Sequence, residues 1–125
     1  MYLNCHSCFS LNYGIMQIGE LLAYASGLGI RTMALTDINN TSGCLDFLRL
    51  AKKHNIQPVV GVDFRNGNQQ LYVCLAKNNE GFRQINDFLS EHKTSKKEFP
   101  FEAPPLPDCY IIYPWQKAVT RFLKP

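Results

Sequence analysis

The sequence has no long apolar run. Nothing in its 125 residues approaches the ~20 consecutive apolar positions that a membrane-spanning helix needs, so no membrane association is expected. A basic segment followed by an apolar one is missing from the N-terminus, and no signal peptide is expected there. Strong charge of one sign is also missing. Lys and Arg number 13 against 10 Asp and Glu, a net charge of +3 and a pI near 8.6. That excess is too small to indicate nucleic-acid binding by itself. Tyr72, Tyr110, Tyr113 and Trp115 lack the interleaved Lys or Arg of a single-strand-binding platform, so they are expected in the core. No internal repeat is evident.

Cysteine is present without a pairing pattern. There are five, an odd number. Cys5, Cys74 and Cys109 fall in strand-like runs, where a free thiol behaves as a small buried hydrophobe. A reduced, cytoplasmic setting is the expectation. Cys5-His6-Ser7-Cys8 spans a CxxC, but a second pair at zinc spacing is absent. On a strand, Cys5 and His6 would point to opposite faces. A structural zinc, which needs four closed ligands, is therefore not expected.

What the chain does have is alternating strand and helix patterns, with 46% hydrophobic residues to bury. Met1–His6 reads as a short strand and Ser7–Gly14 as a turn-rich segment. Ile15–Leu28 has helical periodicity, with Ile18, Leu21, Leu22 and Ala25 on one stripe. Arg31–Thr36 is a near-continuous apolar run, the mark of a strand buried on both faces. Asp37–Ser42 is polar and loop-like, with Thr41 or Ser42 placed to cap a helix over Gly43–His54. Ile56–Phe64 is a second buried strand, Arg65–Gln70 is a turn in which Asn66-Gly67 signals a hairpin, and Leu71–Ala76 is its return strand. Asn78 or Asn79 caps a helix to about His92. His54 and His92 close their helices, where a cation suits the dipole, and both are expected to be solvated.

Beyond His92 the composition shifts. Lys93–Pro107 holds three lysines and four prolines and is expected to be a mobile loop. Cys109–Tyr113 resumes as a strand, and Trp115–Leu123 is expected to form a last short helix. The domain reading is thus βα units over 1–92, a Lys/Pro-rich loop over 93–107, and a further strand and helix of the same truncated domain over 108–125. Crossover connections imply right-handed parallel pairing. A complete (β/α) barrel needs roughly 250 residues. This chain supplies about half, so it reads as a small open α/β sheet or as a piece of something larger.

His6, Asp37 and Asp63 each sit just past a strand-like run. In parallel α/β proteins the C-terminal strand ends carry the chemistry, so three metal-competent side chains there suggest a site.

Four segments carry a family resemblance. Asn4-Cys5-His6-Ser7-Cys8-Phe9-Ser10-Leu11 resembles the HxHSxxSL motif of PHP (polymerase and histidinol phosphatase) domains. Ala34-Leu35-Thr36-Asp37-Ile38-Asn39-Asn40 resembles their ALTDHxN motif, and Ile56–Phe64 their IxPIxGxE strand. Leu75–Phe82 resembles the LAKNxxGY segment of the branch at the N-terminus of bacterial DNA polymerase III alpha subunits. The resemblance implies a distorted (β/α)7 barrel of mostly parallel strands with helices outside. It implies a trinuclear metal site and phosphoester hydrolysis in some members. In the polymerase branch it implies proofreading in some bacteria, and in others a degenerate scaffold that helps dock a separate proofreading exonuclease subunit.

Position by position, the implied ligand set is damaged. Asn4 stands for the first histidine, Tyr13 for an aspartate and Ile38 for the histidine of TDH. His6 and Asp37 survive, and a bridging glutamate is shortened to Asp63. Ile cannot ligate, and Tyr is bulky and ordinarily neutral at pH 7. Two dications about 4 Å apart at an effective dielectric of about 20 repel by roughly 16 kcal/mol. The remaining His6, Asp37 and Asp63 are too few to offset that. Taken singly, each also has an ordinary structural reading: a hydrogen-bonded histidine, a turn aspartate and a strand-end cap. Asn39, Asn40 and Thr41 read as loop and capping residues.

The leading expectation is therefore a non-catalytic module within a DNA-directed DNA polymerase, a nucleotidyltransferase of DNA replication. Its partners would be the rest of the alpha subunit and the proofreading subunit, with DNA met only through the full protein. No cofactor is expected; zinc, manganese or magnesium is what the vestigial set would take if it bound an ion. The alternatives are a metal-dependent phosphoesterase or 3′–5′ exonuclease, and a stand-alone interaction protein whose open sheet edges favour dimers.

Overall fold

The structure, a computed structural model, describes residues 2–10 and 16–114. Five strands form one sheet in the order β1-β2-β3-β4-β5. They are β1 (Tyr2–Cys5), β2 (Thr32–Ile38), β3 (Gln57–Asn66), β4 (Gln69–Ala76) and β5 (Cys109–Ile112). Helices α1 (Ile18–Gly27) and α2 (Cys44–Ala51) are the crossovers that make β1–β2 and β2–β3 parallel. A two-residue turn at Gly67-Asn68 makes β3–β4 antiparallel, with Gly67 in the left-handed region (φ 59°) where a missing Cβ carries no penalty. Helix α3 (Asn79–Ser95) then leads through an irregular segment to β5, antiparallel to β4. Four of the five strands consequently run in one direction.

The helices cover one face of the sheet. Alternate residues Met33 and Leu35 of β2 and Val60 of β3 meet Ile18, Leu22 and Ala25 of α1 and Cys44, Phe47 and Ala51 of α2. Val62, Phe64, Tyr72 and Cys74 continue the same layer against Ile85, Phe88 and Leu89 of α3. The opposite face carries a smaller apolar cluster of Ala34, Val73 and Leu75. The middle of β2 is buried on both faces, which is why its sequence reads as an unbroken apolar run.

Several boundaries differ from the sequence reading. Strand β2 continues through Asp37 and Ile38, because its ladder with β3 runs to Ile38 opposite Asp63. Asp37 is therefore a strand residue, and Asp63 lies inside β3, three residues from its end. Neither Thr41 nor Ser42 caps α2 with a side chain; Gly43 is the cap, and the Thr41 hydroxyl donates to Asn86 instead. Helix α2 ends at Ala51 and gives way to a 3-10 turn over Lys52–His54. Asn78 caps α3 as expected, accepting from the Gly81 N–H at 2.8 Å. That helix outruns His92 by three residues and closes at Lys96 in a left-handed conformation (φ 55°).

The Lys/Pro-rich stretch is anchored at Phe99. Its ring packs on Phe64, Phe88 and His92. The Asn66 side chain brackets its backbone, accepting from the Phe99 N–H at 2.9 Å and donating to the Phe99 carbonyl at 3.0 Å. His92, expected in solvent, stacks on Phe99 and bonds the Phe88 carbonyl; His54 is half-buried. Tyr72 is core, but Tyr110 is 61% exposed because β5 is an edge strand with one open face. Trp115 and the expected helix over Trp115–Leu123 lie outside the described residues.

Gly61 of β3 leaves no room for a side chain against β4. A Cβ there would stand 2.0 Å from the Cys74 carbonyl oxygen of β4. Gly61→Ala is expected to destabilise by at least the ~1–3 kcal/mol typical of overpacking. Gly19→Ala, with open space around its Cβ, should be neutral or stabilising by up to about 1 kcal/mol. Thermal melts of both variants check this, and an unchanged Gly61→Ala melt would contradict the clash.

Candidate functional site

The C-terminal ends of β1, β2 and β3 converge, as parallel pairing requires. Thr36 ties the first two together: its hydroxyl accepts from the Cys5 N–H at 3.1 Å and donates to the Asn4 side-chain oxygen at 2.7 Å. The neutral oxygen that Asn4 would offer an ion is thus engaged by Thr36.

Alternation along β2 sends Asp37 to the helix-bearing face, with Met33 and Leu35. It is 2% exposed. The Ser7 N–H and the Ser10 hydroxyl donate to one carboxylate oxygen and the Ser7 hydroxyl to the other, each at 2.6 Å. The Ser10 hydroxyl also accepts from the Ile38 N–H at 2.9 Å. Asp37 therefore pins the loop after β1 onto the end of β2. Hydrogen bonds to a charged group are each worth about 1.5–3 kcal/mol, so this clamp is a substantial local restraint.

Asp63 points to the other face, in register with Ile38. It is fully buried (0% exposed) and its carboxylate is crowded with donors. His6 Nε2 lies 3.0 Å from Oδ2. The Arg65 guanidinium forks over both oxygens, Nε to Oδ1 at 3.3 Å and a terminal nitrogen to Oδ2 at 3.0 Å. The Gln70 amide donates toward both oxygens at 3.2 Å. Burial alone pushes the Asp63 carboxyl up, but the bonds from His6, Arg65 and Gln70 and the guanidinium charge outweigh it. The net effect holds Asp63 below the usual carboxylate range.

His6 and Asp63 are brought together, while Asp37 is held apart by Ser7 and Ser10. Ile38 adds no donor atom, and Tyr13 lies outside the described residues. Among the described residues, no group of three or more His, Cys, Asp and Glu side chains is close enough to hold a metal ion. All five cysteines are unpaired thiols. Burial pushes Cys44 up to about 12, with a further push from Asp37, so it is neutral near pH 7.

Arg65 and Gln70 escaped the sequence reading as site residues, and Asn39, read as a loop residue, holds Arg65 in place. Arg65 is two positions after Asp63 and so shares its strand face, a period-2 signal that was available. Gln70 reaches the carboxylate because the ladder slips between Phe64 and Arg65, placing Gln70 opposite Arg65; a bulge is silent in sequence. Asn39, in the left-handed conformation (φ 52°), accepts from the Arg65 N–H at 2.9 Å and donates to the Arg65 carbonyl at 2.8 Å. Asn readily adopts that conformation.

Comparison with known proteins places the chain. The PHP domain family model matches residues 3–112. The DNA polymerase III alpha subunit of Ureaplasma parvum is 38% identical over 95 residues, which is 76% of this chain and 10% of that protein. The alpha subunit of Vibrio cholerae is 29% identical over 97 residues, 73% of this chain and 8% of that protein. The error-prone DNA polymerase of Symbiobacterium thermophilum is 32% identical over 90 residues, 72% and 8% respectively. The chain thus spans about a tenth of the length of these relatives. Among solved structures, an amidohydrolase from Chromobacterium violaceum superposes with a TM-score of 0.59 at 22% identity, covering 75% of this chain and 33% of the other. A putative metal-dependent phosphoesterase from Bifidobacterium adolescentis gives 0.57 at 15% identity, covering 74% and 33%. These two show the fold: the mostly parallel sheet with its helices corresponds to part of theirs.

Two outcomes follow from the saturated carboxylates. Asp37→Ala would leave the buried Ser7 and Ser10 donors without an acceptor, expected to cost about 3 kcal/mol or more, with faster amide exchange over residues 7–10. For Asp63, the folded pKa lies below an unfolded value of about 3.9. Its stabilising contribution is present above about pH 4 and is lost as pH falls through the depressed folded value. Asp63→Asn should be less stable at neutral pH and lose less stability than the parent below about pH 4. Urea unfolding at stepped pH reads both; identical pH slopes would contradict the pairing.

Proposed function

Because this chain belongs to the PHP domain family, we propose that it is the N-terminal PHP region of a bacterial DNA polymerase III alpha subunit, acting in DNA replication as a non-catalytic structural and docking module. Polymerase chemistry would reside elsewhere in the longer protein. The observation that carries this reading is the use already made of the two surviving carboxylates. Asp37 is consumed by Ser7 and Ser10, and Asp63 by Arg65, Gln70 and His6.

A catalytic PHP centre needs carboxylate lone pairs facing the ions and several ligands to offset their mutual repulsion. Asn4 and Ile38 supply neither charge nor imidazole. The partners that fit are the remainder of the alpha subunit and a proofreading exonuclease subunit, with DNA contacted through the whole protein. No helix among the described residues is long and apolar enough to cross a membrane, and a replicative role would place the chain in the cytoplasm.

A metal-dependent phosphoesterase or 3′–5′ exonuclease is the second reading, favoured by the direct pairing of His6 with Asp63 at 3.0 Å. It would require further ligands from outside the described residues.

The two readings separate in one assay. With Mn2+, Zn2+ or Fe2+, the chain is expected to release no nucleotide from a 3′-end-labelled primer and no phosphate from a phosphomonoester beyond the metal-only blank. Turnover that disappears in both His6→Ala and Asp63→Ala would overturn the docking-module reading in favour of the enzyme.

A further inference from the structure

We infer that Arg65 occupies the electrostatic place of a metal ion: its guanidinium is the resident counter-cation of Asp63, and it closes that position to divalent cations. A carboxylate offers about four lone-pair sites. At Asp63 the fork from Arg65, the Gln70 amide and His6 Nε2 already make five contacts within 3.3 Å. The Arg65 guanidinium lies against this buried carboxylate, and its side chain is itself only 13% exposed.

The arrangement is built from three elements. Alternation on β3 puts Arg65 on the Asp63 face. The slip in the β3–β4 ladder brings Gln70 to the same carboxylate. The Asn39 side chain holds the Arg65 backbone on both its N–H and its carbonyl. The Asn39 N–H in turn donates to the Asp63 carbonyl at 3.1 Å. The Arg65 backbone is therefore fixed beside the end of the β2–β3 ladder, and the guanidinium extends from that fixed point to Asp63. A divalent ion entering here would have to displace it and would meet like charge while doing so.

The test is metal-dependent thermal stability of the 125-residue chain, read with millimolar Mn2+ or Zn2+ and without. The parent is expected to melt at the same temperature in both conditions. Arg65→Gln strands a buried carboxylate and should melt about 10 °C lower, with part of that loss recovered when either metal is added. Asp63→Asn/Arg65→Gln removes both charges and should melt above Arg65→Gln with no response to metal. Arg83→Gln, which loses only an exposed pairing with Glu80 and Asp87, should stay within about 2 °C of the parent.

A parent that gains as much from metal as Arg65→Gln does would overturn the inference. So would an Arg65→Gln melt within about 2 °C of the parent, or a destabilised Arg65→Gln that no metal restores. If Arg65→Gln fails to fold, a folded double variant supports the counter-ion role and an unfolded one overturns it. None of these readouts depends on a role in replication, which the exonuclease assay tests separately.

Discussion

A carboxylate with no exposure to water must have a cation or several donors against it, and Asp63 sets that requirement in the middle of the sheet. It is met within the same hairpin, by Arg65 on the same strand and Gln70 across the bulge. The path of the end of β3, the left-handed Asn39 and the ladder slip in β4 all serve to bring those groups to it. A dication added about 4 Å from the guanidinium at an effective dielectric of about 20 would be repelled by roughly 8 kcal/mol. On the inference drawn above, the hairpin that stabilises Asp63 would also disfavour a metal ion there.

Asp37 works on a different problem. Strand β1 is only four residues long and lies at an edge of the sheet. Backbone pairing alone holds it loosely. The bonds through Thr36 to Asn4 and Cys5, and through Asp37 to Ser7 and Ser10, add side-chain restraints where the ladder is short. Asp37 therefore has a reason to be present that requires no metal. The aspartate of the TDH-like segment thus has a structural role that is independent of its neighbour Ile38, whose side chain cannot ligate.

Much of the fold was legible beforehand because its elements carry unambiguous periods. The doubly buried β2, the hairpin signalled by Asn66-Gly67 and the Asn78 cap each rest on a local signal and each is present, with the hairpin turn narrowed from Arg65–Gln70 to Gly67-Asn68. The errors cluster where tertiary contacts extend or interrupt a local pattern. Asp37 and Ile38 are polar-flanked and loop-like in sequence, yet pairing with β3 draws them into the strand. Ser42 and Thr41 are good capping residues by type, but Asn86 on α3 takes the Thr41 hydroxyl. Tyr110 has strand propensity whether its face is covered or open, so its sequence could not say which.

The sequence by itself determined the order of strands and helices from β1 to β5, the presence of Asn4 and Ile38 beside His6 and Asp37, and kinship with the PHP domain family, since periodicity and residue identity are local properties. Only the tertiary structure decided what the survivors do. Asp37 and Asp63 fall on opposite faces of the sheet, one spent on Ser7 and Ser10 and the other on Arg65, Gln70 and His6. Which donors satisfy a buried carboxylate depends on strand register, a bulge and one left-handed residue. Those are settled by packing across 57 positions of chain between His6 and Asp63, a separation over which no sequence pattern carries information.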